Sequence, residues 1–358
     1  MAKFALRLEA RPTPSRLMSW LSPVLAVLLT VLCGALLFIA LGHDPLAGLA
    51  VFFVEPLRDA HGWSELGLKV APLLLIAVGL AICFRANIYN IGAEGQLTLG
   101  AICGGAAALY LDDGVGGATV IGVSLLAGMA GGMAWAGLVA WLRDRYNASE
   151  ILVSLMLVYI AQLLLSYLVY GVLRDPEGFN FPQSKLLSDG LLLPMVISDT
   201  RLHVGIIFAL LASLGGWLYL SRSISGFRLR VGGMAPAAAR YAGFSSRKTL
   251  WSSLLICGAL SGLAGACEVL GPMGQLTPTV SPGYGFAAII VAFVGRLHPV
   301  GVLFSSFVMA LFYIGGELAQ SRLGLPSAIT GVFQGILLFA LLACDVLIQY
   351  KLRWRKHG

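Results

Sequence analysis

Seven stretches of this chain, 20–42, 114–142, 151–173, 202–221, 249–267, 299–316 and 323–344, contain no Asp, Glu, Lys or Arg. A bilayer crossing needs roughly 20 mostly apolar residues, so each reads as a membrane-spanning helix. Two more segments qualify with one charge apiece: 66–84 with Lys69, and 91–111 with Glu94. Segment 269–295 is uncharged but broken by proline and glycine before a short apolar run. The expectation is an all-α integral membrane protein of about ten transmembrane helices, the third and eighth irregular. Composition agrees, since 11% of residues are charged where a soluble domain carries about 25%. The first apolar run exceeds the ~7–15 residues of a signal-peptide core and no A-x-A pattern follows it, so it is expected to be a retained helix.

Basic residues provide an independent test. With both termini cytoplasmic, 18 of the 24 Lys and Arg fall on the inner segments 1–19, 85–90, 143–149, 222–248, 296–298 and 351–358. Five fall on outer segments, and Lys69 lies within a span. That asymmetry follows the positive-inside rule and supports both the count and the orientation. The formal net charge of +7 then belongs to a face that anionic lipid attracts, and no nucleic acid is needed to explain it.

Several function classes drop out. The chain has no G-x-x-x-x-G-K-[ST] phosphate loop and no G-x-S-x-G elbow. Its longest segments outside the spans hold about 30 residues, too few for a folded catalytic domain. Six cysteines occur without a C-x-x-C pair, and histidines lack metal-ligand spacing, so the thiols read as structural and no metal or other cofactor is expected. The Asn147 sequon falls in an inner loop and is dismissed. Transport, not an enzymatic reaction, is what remains.

Two places break the apolar pattern. The stretch "ANIYNIGAEGQLTLGA" holds Asn87, Asn90, Glu94 and Gln96 among three glycines. A charge at the membrane centre costs about 2.5–3.5 kcal/mol on insertion scales, and irregular backbone is tolerated there only inside protein or beside a cavity. The stretch should therefore face the protein interior. A counterpart, "LGPMGQLTPTVSPGYGFAAI", carries seven prolines and glycines around Gln275 and Tyr284. One enters from the inner side before span three, the other from outside before span eight. Spans 2–5 and 7–10 would then be inverted repeats, a pattern that places a substrate path near the interrupted elements. Asn87, Asn90, Glu94, Gln96 and Tyr284 are the path candidates; for each, a structural hydrogen-bonding role is the competing reading. Glu268 and Glu317 fall at outer membrane edges, within reach of water. The G-x-x-x-G pairs at Gly100/Gly104, Gly128/Gly132 and Gly258/Gly262 predict close helix packing.

The largest inner loop, 222–248, has six basic residues and no acidic one. Pro236 can open a helix, "AAARYA" favours one and Gly243 can close it. About two turns are marginal alone and call for a partner surface, to which Arg240 and Tyr241 offer a cation and an aromatic anchor.

These residues also carry a resemblance. "FRANIYNIGAEGQLTLGA" followed by "GGMAPAAARYAGF" resembles the permeases of bacterial ABC importers for simple sugars and nucleosides, in the branched-chain amino acid and ribose permease superfamily. The similarity is closest to the branch served by basic membrane lipoproteins. It covers essentially the whole chain, in four parts: the first helix and outer loop (1–65), a first repeat (66–173), the inner loop (222–248) and a second repeat (249–350). The resemblance implies a separate ATPase that uses ATP and receives a coupling helix, matched here by Gly233, Ala238, Ala239, Arg240, Tyr241 and Gly243. Met234 and Ala235 depart from the family's polar residues. It also implies a second, homologous permease and a lipid-anchored or periplasmic binding protein that docks on outer loops 43–65 and 174–201. The rival expectation is an ion-gradient-driven secondary transporter with Glu94 as its coupling acid.

Overall fold

The computed structural model describes residues 4–13, 15–111 and 116–356. Thirteen helices occur among them: α1 Arg16–Ala40, α2 Pro45–Leu49, α3 Ala60–Arg85, α4 Ala93–Leu111, α5 Gly117–Tyr146, α6 Glu150–Tyr170, α7 Gly205–Arg222, α8 Ile224–Met234, α9 Pro236–Tyr241, α10 Ser246–Glu268, α11 Tyr284–Val294, α12 Pro299–Leu323 and α13 Ile329–Gln349. Among the described residues, eight helices are long and apolar enough to cross a membrane: α1, α3, α5, α6, α7, α10, α12 and α13. The two irregular spans are where that number and the expected ten diverge. Helix α4 is continuous but diluted by Glu94, Gln96, Thr98 and glycines, and α11 is a half-helix behind an extended lead-in.

The helix ends follow local chemistry. Ser15, Ser149 and Ser245 cap α1, α6 and α10 by accepting the N–H of Met18, Leu152 and Lys248, which satisfies donors that a helix start leaves free. Asn147 closes α5 at φ 51°, a left-handed conformation that asparagine tolerates. An unforeseen helix, α8, is capped by Ser223, which accepts the Gly226 N–H. Ala235 separates it from α9 at φ −142°, because the residue before a proline is pushed out of the helical region.

The chain divides into two compact units, residues 63–310 and residues 1–62 with 311–358. In the larger unit the three G-x-x-x-G pairs converge. A Cβ added at Gly100 or Gly132 would overlap the backbone of Gly262, and one at Gly258 would overlap that of Gly132. Helices α4, α5 and α10 therefore touch backbone to backbone, a contact only glycine permits. Such proximity maximises the dispersion and hydrogen-bonding terms that hold helices together in lipid. Helix α3 is almost wholly buried, so its uniform apolarity reflects protein neighbours as much as lipid.

In the smaller unit, α1 packs on α13 and a cluster of phenylalanines fills the space beneath α2. Phe52 and Phe333 stack with centroids 4.3 Å apart, and Phe38 lies 6.0 Å from Phe333. The segment expected as an open outer loop, 43–65, thus folds into short helices whose Phe52 is fully buried. Strands β1 (Phe4–Ala10) and β2 (Tyr350–Lys356) pair antiparallel, Phe4 opposite Lys356. This small departure from an all-helical chain brings both ends of the polypeptide to one place.

Candidate solute path and coupling element

Helix α3 ends in a turn in which Asn87 adopts φ 58° and its side chain is exposed. Asn87 therefore terminates a helix and stands apart from the other path candidates. Asn90, three residues on, is fully buried. Its amide pairs reciprocally with that of Gln96, Nδ2 donating to Oε1 at 3.1 Å and Oδ1 accepting from Nε2 at 3.2 Å. Asn90 Oδ1 also accepts the Gly92 N–H at 3.0 Å, and Nδ2 reaches Cys257 Sγ on α10 at 3.2 Å. The Ile91 N–H donates to Ser154 Oγ on α6. These side chains and N–H groups thus find partners inside protein, as an apolar surrounding demands.

Glu94 joins the two broken regions. It is 2% exposed, and its Oε2 accepts the Gly285 N–H at 2.6 Å. The Ser281 hydroxyl and the Gly283 N–H also act on this carboxylate. Ser281 Oγ in turn accepts the N–H groups of Gly283 and Tyr284. The free donors at the start of α11 are therefore shared between one hydroxyl on its own lead-in and one carboxylate on α4. A Cβ at Gly285 would overlap the Glu94 backbone, so α11 begins directly against α4. Helix N-termini favour negative charge, which accounts for a carboxylate at this depth.

Tyr284 is buried, with Lys69 Nζ 5.9 Å from its ring centroid. The Lys69 charge also acts on Glu268. Glu268, expected at a water-facing edge, is instead buried at 6% exposure and linked with Lys69 and Tyr284. The available signal was the single lysine in an otherwise uncharged span, since intramembrane charges are retained where they pair. Glu317, by contrast, is exposed as expected.

The second broken segment is braced by a loop. Ser184 N–H donates to Leu276 O at 2.9 Å while Leu276 N–H donates to Ser184 Oγ at 2.8 Å. Leu187 and Leu193 donate to Gly274 O and Leu270 O, each at 2.8 Å. Loop 174–201 thus runs as a brace along residues 270–276. Arg201 anchors it to α3 through a two-pronged contact with Glu65 at 3.0 and 2.5 Å. His203 sits beneath, its Nδ1 accepting the Gly205 N–H at 3.0 Å.

On the basic face, α9 runs over Pro236–Tyr241 with proline at its first turn, and Gly243 closes it at φ 77°. The Phe244 N–H reaches Ala239 O at 2.9 Å, the wrap-back expected of a left-handed helix stop. Ala239 is buried, Ala238 and Arg240 are exposed, and Tyr241 is 97% exposed. Gly233 plays a different part: a Cβ there would overlap the carbonyl of Arg85, so it lets α8 pack on the end of α3. The helix offers one alanine to its own protein and presents Ala238, Arg240 and Tyr241 outward.

Residues 64–342 match the family described as branched-chain amino acid transport system / permease component. The chain is 32% identical over 356 residues to the glucose ABC transporter permease protein TsgB13 of Haloferax volcanii, covering 97% of this chain and 93% of that one. It is 31% identical over 329 residues to the guanosine ABC transporter permease protein NupP of Bacillus subtilis, covering 90% and 93%. A second guanosine permease of that organism, NupQ, is 29% identical over 258 residues, covering 69% and 80%. The chain belongs to this family of transport permeases. It is a multi-pass inner-membrane transport protein, not an enzyme.

Proposed function

We propose that this chain is the permease subunit of an ATP-driven importer for a nucleoside or a simple sugar. The substrate class rests on the relatives, which are named for glucose and guanosine. The reading adopts ten spans, with α4 and α11 as the irregular members, both termini cytoplasmic, and spans 2–5 and 7–10 inverted. The basic α8–α9 face is then cytoplasmic, consistent with the positive-inside rule.

The observation that carries the mechanism is α9: a six-residue helix too short to persist alone, held by one buried alanine, with its tyrosine almost fully exposed. A separate ATPase supplies the surface that α9 lacks. Closure of that ATPase on ATP displaces α9, and α8 carries the motion to the end of α3 through the Gly233 contact. Residues 86–96 follow directly on α3, and Glu94 ties them to α11. Motion at α9 thus reaches both interrupted elements, and substrate passes where they meet. Asn90, Glu94, Gln96 and Tyr284 shape that path by holding its walls in register, and Asn87 lies at its inner mouth. Two guanosine permeases in one relative's organism favour a second, homologous permease as the other wall. A lipid-anchored or periplasmic binding protein delivers substrate to loop 174–201, whose brace reaches the second interrupted element.

A photo-reactive amino acid at Tyr241 tests the docking. In the assembled complex it should cross-link to the ATPase in high yield, whereas the same group at buried Ala239 should not. Equal or absent cross-linking from both positions would overturn the assignment.

A further inference from the structure

Between α9 and the ends of α3, α5 and α10 lies a cavity of about 330 Å³. Four guanidinium groups line it, from Arg143, Arg228, Arg240 and Arg247, against the single carboxylate of Asp144. That carboxylate is committed: Arg247 Nε lies 2.7 Å from its Oδ2, and Trp251 Nε1 donates to the same oxygen at 3.1 Å. Arg143 is engaged by Glu150 at 3.4 Å and by the Ala148 carbonyl. Arg228 rests 5.5 Å from the centre of the Phe244 ring. Neither Arg228 nor Arg240 has an acidic partner among the described residues. Close by, Arg230 lies within electrostatic reach of Arg85, and its buried Nε has no hydrogen-bond partner among the described residues. Arg228, Arg230 and Arg240 thus bring positive charge to this concave surface with no carboxylate beside them among the described residues.

The positive-inside rule accounts for basic residues on this face, but it is satisfied by Lys as well as Arg and needs no concavity. Here every basic lining residue is Arg, and the four converge from α5, α8, α9 and the start of α10. Guanidinium forks match phosphate oxygens in pairs. The volume admits a phosphate group with a small organic body beside Phe244. We propose that this cavity is a phosphate-binding site, taking either a soluble phosphomonoester or the headgroup of an anionic phospholipid. Because α9 forms one wall through Pro236, Ala239 and Arg240, an occupant pins the element assigned above to ATPase docking. The inference rests on that assignment for its consequence, not for its chemistry.

The full chain, purified without any ATPase so that nucleotide sites are absent, is placed in neutral phosphatidylcholine nanodiscs. Ribose 5-phosphate is titrated by calorimetry in one arm; in the other, phosphatidylglycerol is added to the discs and retained lipid is counted by native mass spectrometry. Saturable binding is expected in one arm, which identifies the source. Arg228→Gln, at an exposed position, should weaken it at least tenfold, and Arg240→Gln on the opposite wall should do the same. Absence of saturable binding in both arms overturns the proposal. So does binding that neither variant weakens, or a variant that loses ATPase capture while its phosphate binding stays unchanged, since the cavity would then serve a protein carboxylate. The Tyr241 cross-link is read in the assembled complex, so either result can fail while the other stands.

Discussion

Replacing Glu94 by alanine removes a side chain that links the two interrupted elements. The Gly285 N–H at 2.6 Å loses its acceptor at a position where Glu94 is only 2% exposed. A buried donor left unsatisfied costs about 1–3 kcal/mol. Loss of a negative group at the start of α11 removes about 0.3–1 kcal/mol more, and the two terms together predict a loss of ~1.3–4 kcal/mol. Glu94→Gln keeps an acceptor oxygen at the same reach and should forfeit less than half of that. Ser281→Ala acts on the same helix start, so the Glu94→Ala/Ser281→Ala pair should be non-additive by at least ~0.5 kcal/mol. Reversible denaturant unfolding of the purified chain in mixed micelles reads all four variants against wild type. If Glu94→Ala stays within ~0.5 kcal/mol of wild type, an error of the size that separates independent sites, the carboxylate does not hold α11 to α4 and the capping argument fails.

The glycine junction makes a sharper, steric prediction. Gly262→Val should prevent α4, α5 and α10 from closing and abolish folded yield, whereas Gly122→Val on α5, where an added Cβ meets nothing, should leave yield and melting temperature unchanged; fluorescence-detected size exclusion reads both.

Much of this arrangement is legible in the amino-acid sequence alone. Charge-free runs near span length located α1, α5, α6, α7 and α10 to within four residues, because hydrocarbon permits little else; α12 runs seven residues past its expected end, through segment 317–322, and α13 begins six residues late. The proline and glycine around α9 marked both of its ends for reasons that act within a few residues. The three glycine pairs announced backbone contact, although only the fold showed that they meet one another. Less legible were features decided by distant partners. The ladder of Asn90 with Gln96 and Cys257 requires α4 and α10 to be adjacent, and the burial of Glu268 depends on Lys69 approaching from α3. Asn87 looked like its polar neighbours in the sequence, but a left-handed turn carries it to the surface. Helix α8 escaped notice because its arginines and glycines read as loop, and its stability comes from packing Gly226 and Gly233 against other segments.

The account turns on α9 as the point where an ATPase drives this permease. Its most direct test is the complete importer in proteoliposomes, with wild type compared with Arg240→Ala/Tyr241→Ala, reading ATP hydrolysis and solute uptake in the same vesicles. We expect uptake to fall at least tenfold while the assembled complex still inserts and hydrolyses ATP, now without stimulation by loaded binding protein. Undiminished uptake with intact stimulation would contradict the account.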